Sequence, residues 1–215
     1  MRQDRMNQLN DGIFAIVMTL LVLEIKVPVF DKIITNQELN YALWESVPLF
    51  LAYLLSFAVL FTYWRAHHFI ISDLAKNIDI ELTGGNAIFL FFVALTPFSA
   101  HLLGSYPYTQ TAIGMFGINV ITIGVSLYWM RHHILTSHKI ENVEYTGRQI
   151  RNGNFRILLP VFCAIIAFYI SFLSIQLSLT ILTVAVLYNL LPISSKINNV
   201  VLDKVWPVKE NNPLF

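Results

Sequence analysis

Six apolar runs, separated by short polar segments, constrain the fold of this chain more than any other feature. They occupy residues 13–23, 47–64, 87–103, 111–130, 157–175 and 177–193. A helix needs about 20 apolar residues to cross the ~30 Å hydrocarbon layer of a bilayer, and five of the runs are near that length. Open backbone cannot be satisfied in lipid, so these runs are expected to be helices. The sequence therefore predicts an all-α integral membrane protein with six transmembrane helices per subunit.

The composition supports a membrane protein and excludes several functional classes. Charged residues make up 13% of the 215 residues, about half the ~25% of globular proteins. The formal net charge of +1 gives no indication of nucleic-acid binding. The single cysteine, Cys163, excludes an internal disulfide, and no Cys/His spacing resembles a zinc site. No metalloprotease, serine-hydrolase or nucleotide-binding motif is present, so neither an enzyme nor a bound metal or cofactor is predicted.

The distribution of basic residues predicts the membrane topology. If the N-terminus is cytoplasmic, 12 of the 14 lysines and arginines lie on the cytoplasmic side, and only Lys26 and Lys32 lie outside. This bias is the positive-inside pattern, and with six spans it places both termini in the cytoplasm. The tryptophans near the ends of the runs, which fit an interfacial aromatic belt, are Trp44, Trp64 and Trp129.

The domain organisation expected from this pattern is simple. Residues 1–202 are expected to form a single six-helix transmembrane unit, and residues 203–215 a short cytoplasmic tail. The last two runs are separated by almost no polar sequence, which predicts a tight antiparallel hairpin with Gln176 and Ser178 at the bend.

Polar residues within the runs are the first candidates for chemistry. Asn119 and Asn189 lie in the middle of runs; they are expected to bond across helices, with substrate contact as the alternative. The histidine pairs 67–68 and 132–133 stand at the ends of runs beside arginines, and we interpret them as interfacial residues rather than metal ligands. Pro97 is expected to kink the third run or to free a backbone carbonyl there.

The first run is the shortest, and it has an unusual surface. Its apolar residues Ile16, Leu20, Leu23 and Val27 recur at i, i+4, i+7 and i+11, which places them on one helix face. Asp11 points away from that face, more than about 130° from Ile16 at 100° per residue. An apolar stripe of this kind is typical of a packing seam, and the carboxylate needs a partner in the protein.

The amino-acid sequence of this segment resembles a known family signature. Residues 5–25 read R-x-x-x-L-N-D-G-I-F-A-I-V-M-T-L-L-V-L-E-I. They resemble the first-helix signature of the transmembrane protein 175 family, the potassium channels of endosomes and lysosomes and their prokaryotic relatives, which runs R-x-x-x-F-S-D-G-V-F-A-I-x-x-T-L-L-x-L-x-I. Leu9 and Asn10 depart from it, where the family usually has Phe and Ser. The matching residues are Arg5, Asp11, Gly12, Phe14, Ala15, Ile16, Thr19, Leu20, Leu21, Leu23 and Ile25. Weaker echoes are YWRAHH at the end of the second run, and Asn86 with TPF in the third.

The resemblance implies a specific architecture. One six-helix unit per chain is similar to the prokaryotic members, and four such units are expected to surround a central pore lined by helix one. The family has no TVGYG-type filter, and its constriction consists of apolar rings. Carried over by position, the pore and selectivity residues are Ile16, Thr19, Leu20 and Leu23. The structural residues of the motif are Arg5, Asn10, Asp11 and Gly12, and the candidate partners of Asp11 are His67, His68 and polar residues near Asn86.

The function implied by the resemblance is a potassium-selective or potassium-permeable cation channel. It is expected to be a homotetramer in the plasma membrane, with the lipid bilayer and potassium ions as its partners and no cofactor. Two alternatives stay open. A proton- or cation-coupled secondary transporter would need an ionisable residue near the midplane, whereas Asp11 and Glu24 both lie near helix ends. A non-conducting membrane scaffold would need no pore.

Overall fold

The computed structural model describes residues 3–31, 33–140 and 146–207, and within these ranges the regular structure is entirely helical. The helices are α1 (Gln3–Leu23), α2 (Asn36–Glu45), α3 (Val47–His68), α4 (Ile80–Ala94), α5 (Thr96–Ser105), α6 (Gln110–Thr136), α7 (Gly147–Ile170), α8 (Ile175–Leu190) and α9 (Ser194–Val205). A π-helical turn, Phe69–Leu74, continues α3.

Short polar side chains start several of these helices. Thr35 begins α2 with a capping box, in which its hydroxyl accepts the backbone N–H of Glu38 and the Glu38 carboxylate accepts the backbone N–H of Thr35. Thr146 and Gln149 form the same arrangement at the start of α7. Helix α2 has only ten residues and a polar composition, so the search for apolar runs did not predict it.

The expected kink in the third run is confirmed. Helix α4 ends at Ala94, and α5 begins at Thr96 with Pro97 in its first turn. Proline has no backbone N–H to continue the hydrogen-bonding pattern, so the helix restarts at this point.

The two buried asparagines bond across helices, as predicted. In α6, the Asn119 Nδ2 donates to Thr96 Oγ1 at 3.1 Å and to Ser99 Oγ at 3.2 Å. In α8, the Asn189 Nδ2 donates to the backbone oxygen of Arg156 in α7 at 2.9 Å. Such bonds satisfy polar groups that would otherwise be stranded in an apolar interior.

The final hairpin exists, but its bend is not where the sequence placed it. Helix α7 ends at Ile170, Ser174 caps α8, and α8 begins at Ile175. Gln176 and Ser178 therefore lie inside α8, and the prediction that they form the bend was wrong. The Ser178 hydroxyl is buried and donates to Ala167 O across the hairpin at 2.7 Å, so a polar residue that resembles a turn signal is an interhelical contact.

Within the described residues, five helical segments are long and apolar enough to cross a membrane. They are Gln3–Leu23, Val47–Leu74, Ile80–Ser105, Gln110–Thr136 and Gly147–Ile170. The protein is thus a multi-pass membrane protein. Helix α8 is apolar but has only 16 residues, about 24 Å at 1.5 Å per residue, and a sixth complete span stays a prediction.

The C-terminal boundary expected after residue 202 falls inside α9. Asp203, the first residue of the expected tail, lies in this helix and forms ion pairs with Arg148 and Arg151 of α7. Residues 208–215 of that tail lie outside the described residues.

Helix α6 lies at the centre of the bundle and contacts α3, α4, α5 and α7. Helix α1 packs at the edge, against α3, α4 and α5. This position leaves the outer side of α1 exposed, uncovered by the rest of the chain.

Candidate functional site

The inner face of α1 is apolar with one polar exception. Its buried residues are Met6, Asn10, Phe14, Val17 and Leu21. Their spacing of three or four places them on a single helical stripe, and this stripe is the seam that joins α1 to the rest of the chain.

The family-matched stripe lies on the outer side of α1. Ile16 is 59% exposed, Leu20 is 43% exposed and Leu23 is 67% exposed. The packing seam inferred from their periodicity is therefore not a seam within the described chain. An apolar surface that its own chain leaves uncovered is available to lipid, to a neighbouring subunit or to a pore.

Thr19 is also exposed on the outer side of α1. Its hydroxyl donates to the backbone oxygens of Ala15 at 3.0 Å and Ile16 at 2.8 Å. The proton of the hydroxyl is thus used within the helix, and what Thr19 offers to its surroundings is an acceptor oxygen.

Asp11 bonds to a residue that the sequence did not suggest. Its Oδ1 accepts the indole N–H of Trp64 in α3 at 2.8 Å. The candidates named from the sequence were His67, His68 and polar residues near Asn86, and the prediction was wrong about the hydrogen-bond donor. Trp64 is part of the YWRAHH segment that matches the family, but from the sequence it was interpreted as a residue of the interfacial aromatic belt and not as a hydrogen-bond donor.

The polar groups expected near Asp11 instead form a buried chain with Asn10. The ring nitrogen Nε2 of His67 lies 2.7 Å from Asn86 Oδ1, and Asn86 Nδ2 donates to Asn10 Oδ1 at 2.9 Å. Because Asn86 Oδ1 can only accept, Nε2 carries the proton of this bond. Asn10, Asn86 and His67 are all buried, so α1, α3 and α4 are joined by a hydrogen-bonded chain inside the protein.

The aromatic surroundings of His67 complete this contact. The imidazole stacks on Phe89 with ring centroids 4.8 Å apart, and Phe14 of α1 lies against both rings. The interpretation of His67 as an interfacial residue was wrong, because its N–H is satisfied internally and its ring is sandwiched by aromatics. His68 and His132 are exposed, as expected.

Within the part of the chain that the structure describes, the other two motif residues, Arg5 and Gly12, form no side-chain hydrogen bond or ion pair of this kind. Arg5 is exposed near the start of α1. Gly12 is exposed, and a Cβ built there would have no atom within 4 Å, leaving aside its chain neighbours and the helix's own backbone. Neither residue contributes to the inner seam of α1.

The far end of α1 has its own polar contact. Glu24, just after the helix, lies 3.1 Å from the Nδ1 of His101 in α5. Gln3, at the beginning of α1, donates to the backbone oxygens of Ala75 (2.9 Å) and Ile71. Helix α1 is therefore attached to the rest of the chain by polar contacts at both ends and by apolar packing between them.

Among the described residues, one group of side chains that could hold a metal ion lies where α4 begins and α6 ends. Ligand atoms of Asp79, Glu81 and His133 lie within 4.8 Å of one another. The two nitrogens of His133 lie 2.8 Å from Asp79 and 3.7 Å from Glu81. This geometry is that of an imidazole held between two carboxylates. Partial burial tends to raise the pKa of Asp79, but the Leu82 N–H bond and the His133 contact outweigh it and lower the pKa.

The fold and these contacts define a class: a multi-pass helical membrane protein whose first helix is fixed by polar bonds on one side and presents an apolar surface on the other. Comparison with known proteins narrows this class. The sequence model of the endosomal/lysosomal potassium channel TMEM175 matches residues 5–97. A potassium channel of Chamaesiphon minutus is 31% identical over 194 residues, covering 86% of this chain and 91% of that protein.

A second relative and a solved structure are also potassium channels by name. A potassium channel of a Chryseobacterium species is 28% identical over 142 residues, which cover 66% of this chain and 69% of that protein. The crystal structure of a lysosomal potassium-selective channel TMEM175 homolog from Chamaesiphon minutus superimposes with a TM-score of 0.74 at 29% identity, covering 87% of this chain and 95% of that one. The chain belongs to the TMEM175 potassium channel family, a family of ion channels and not of enzymes.

Proposed function

We propose that this chain is a subunit of a potassium-permeable cation channel in which α1 lines the pore. The observation that carries the proposal is the outer face of α1, which is apolar, exposed in the subunit and matched to the family's signature at Ile16, Leu20 and Leu23. Family membership and the potassium-channel names of the relatives support the same function.

In a homotetramer, the apolar outer face of α1 would pack around the central axis instead of facing lipid. Four copies of α1 around an axis shield their apolar stripes from lipid and form successive rings at the levels of Ile16, Leu20 and Leu23, with closed symmetry. The charged residues at the helix ends then meet water at the two mouths of the pore. The assembly is proposed to lie in the plasma membrane and to need no cofactor.

The rings account for ion preference without a carbonyl filter. An ion that passes an apolar collar loses part of its hydration and gains little in return, and K⁺ sheds water at a lower cost than Na⁺. The same rings close the pore when they dewet. The Thr19 oxygen, placed beside the Ile16 level, is the only polar group among the four proposed pore residues.

Ion flux tests the proposal directly. Purified protein in liposomes should pass K⁺ in a potassium-gradient assay, whereas a coupled transporter would require a second gradient and a scaffold would pass none. Native mass measurement of the conducting preparation should give a tetramer. A conducting monomer or dimer would refute the central pore.

Substitution of Ile16 tests the constriction. Ile16→Asn places amides where there was hydrocarbon, holds water in the ring and lowers the dehydration cost for both ions. We expect higher conductance and a smaller K⁺ preference in reversal potentials. Val22→Asn is the matched control, because Val22 is 49% exposed on α1 but lies about 120° from Ile16. Unchanged selectivity in a folded Ile16→Asn tetramer would place the filter elsewhere.

The topology of the proposed channel is tested by labelling. Cysteines at Tyr106 and Lys139, in the Cys163→Ser background, lie in connections predicted to be outside and inside respectively. An impermeant maleimide on sealed cells should label the first and not the second. Labelling of position 139 would contradict cytoplasmic termini.

A further inference from the structure

A basic cavity lies away from α1, between α3, α6, α7 and α8. Its volume is about 410 Å³. Three arginines from different helices line it, Arg65 of α3, Arg131 of α6 and Arg156 of α7, and no aspartate or glutamate is among its lining residues.

Two of these guanidinium groups are close neighbours. Nη2 of Arg65 and Nη2 of Arg156 donate to the same backbone oxygen, that of Asn189, at 3.0 Å and 3.2 Å, which places the two nitrogens within about 6 Å of each other. Among the residues that the structure describes, neither arginine has a carboxylate oxygen within the 4.0 Å of an ion pair. Each guanidinium has five N–H donors, so donors remain for a ligand in the cavity.

The third arginine adds charge to the same space. Arg131 is buried, and its Nε donates to Asn154 Oδ1 at 3.0 Å. A Cβ built at Gly153 would lie 2.5 Å from Arg131 Nη2, so the absence of a side chain at position 153 leaves room for the guanidinium beside the cavity.

A comparison within α7 shows that this arrangement is local. Arg148 and Arg151, about two turns and about one turn before Arg156 in the helix, both pair with the carboxylate of Asp203. The fold therefore supplies a carboxylate for the two arginines nearer the start of this helix and supplies none, in the described chain, for the two arginines that converge on Asn189.

We propose that the cavity binds a phosphate-bearing anion. Paired guanidinium groups match the geometry of phosphate oxygens and bind them through charge-assisted hydrogen bonds. A volume of about 410 Å³ is within the range of small-ligand sites, roughly 300–1,000 Å³. The bound anion relieves the repulsion between adjacent cations that face a partly apolar space.

The walls of the cavity indicate a phospholipid as one source of this phosphate. The remaining surface includes Ala66, Phe69, Ile70 and Ile157, which suit the first carbons of a lipid. Each of the three arginines borders an apolar run on the side that the charge bias predicts to face the cytoplasm. Basic pockets between transmembrane helices on that side bind anionic headgroups. Free inorganic phosphate is the second source of the same chemistry.

Binding measurements separate the two sources. Native mass spectrometry of the whole protein in neutral detergent, with phosphatidylglycerol or phosphatidylcholine added, reports retained lipid. Thermal unfolding with added inorganic phosphate, against equal ionic strength of chloride, reports the free anion. Neither readout depends on ion conduction, so a failure here is distinct from a failure of the proposed channel function.

Three variants test the residues. Arg65→Gln/Arg156→Gln removes both cations and should weaken anion binding at least about tenfold, since each charge-assisted bond is worth that or more. Asn152→Asp keeps the shape of a cavity-lining side chain and places a carboxylate beside the guanidiniums, so it should weaken binding similarly in a protein whose packing is unchanged. Arg148→Gln removes one charge from the same helix outside the cavity and should leave binding unchanged.

The outcomes are decisive in both directions. Preferential retention of phosphatidylglycerol that both cavity variants reduce and Arg148→Gln does not supports the site with a lipid ligand. Stabilisation by inorganic phosphate alone, with the same variant pattern, supports it with a free anion. Equal retention of both lipids with no phosphate effect overturns the proposal, as does binding that Asn152→Asp leaves intact.

Discussion

The buried chain His67–Asn86–Asn10 makes a quantitative prediction about what holds helix one in place. In Asn86→Leu the side chain keeps a similar volume, so the cost of a cavity or of overpacking is small. The substitution removes both hydrogen bonds of Asn86 at once. The N–H of His67 loses its acceptor at 2.7 Å, and the Oδ1 of Asn10 loses its donor at 2.9 Å.

The magnitude follows from the burial of these two groups. Asn10 is 2% exposed and His67 is 2% exposed, so water cannot replace the missing partners. An unsatisfied buried polar group costs about 1–3 kcal/mol, although hydrogen bonds between membrane helices average only ~0.6 kcal/mol. Two unsatisfied groups, each at the lower part of that range, predict a loss of about 2–3 kcal/mol in the free energy of unfolding. This loss is roughly a 30- to 150-fold change in the ratio of folded to unfolded protein.

A double-mutant cycle tests the mechanism. His67→Phe preserves the stack on Phe89 and removes the donor, so Asn86→Leu added to it no longer strands an N–H. The double variant should therefore be more stable than the sum of the two single effects by about 1–2 kcal/mol. Equilibrium unfolding in mixed micelles, followed by circular dichroism, measures all four proteins. Asn40→Leu, at an exposed helical position, is the control and should stay within ~0.5 kcal/mol of the parent. A stability of Asn86→Leu equal to that control, or strict additivity in the cycle, would refute the reasoning.

Two other predictions concern helix packing and pH. A Cβ at Gly104 would lie 2.7 Å from the backbone Cα of Leu49, so Gly104→Ala should destabilise the fold by about 1–3 kcal/mol. Gly84→Ala is the control, because a Cβ there meets open space, and it should be neutral or stabilising by up to ~1 kcal/mol in the same unfolding assay. Equal effects of the two substitutions would contradict the close approach at Gly104. Hydrogen bonds from two α7 arginines lower the pKa of Asp203 to about 2. The contribution of these ion pairs to the attachment of α9 should therefore be complete above the ordinary carboxyl pKa of ~3.9 and be lost as pH falls towards 2. Hydrogen exchange of α9 should report this change in the parent and not in Asp203→Asn, and a pH response that survives in that variant would point to another group.

The sequence predicted the membrane-spanning segments and the proline kink of this fold, but not the bend of the final hairpin. Long apolar runs predict spans because the bilayer imposes length and composition together. The kink at Pro97 followed from a missing donor. The bend of the final hairpin did not follow, because Ser174 and Ser178 are chemically alike, and only the packing decides which one caps a helix and which one bonds across an interface.

The polar contacts of the site were harder to predict for a related reason. The Asp11 carboxylate needed a hydrogen-bond donor, and from the sequence His67 and His68 were the obvious candidates. In the structure the donor is the indole N–H of Trp64. Arg65 and Arg156 are 91 positions apart in the sequence, and their convergence on one carbonyl oxygen depends on how α3 and α7 meet α8. Sequence shows which groups need partners, and the fold chooses among them.

The two faces of helix one have linked roles if the proposed pore is correct. Rotating α1 by one residue, about 100°, would carry Asn10 away from Asn86 and strand two buried polar groups. The rotation of the helix, and with it the side chain presented at the Ile16 level, is therefore fixed by the inner face. The end contacts at Trp64 and His101 resist sliding in the same way. Closure of such a pore is then expected by dewetting of rings held at fixed rotation, or by a tilt that keeps the Asn10 bond and releases the exposed Glu24–His101 contact. A Glu24→Gln variant distinguishes the two: it should change the open fraction only if the tilt operates, with single-channel recording as the measurement.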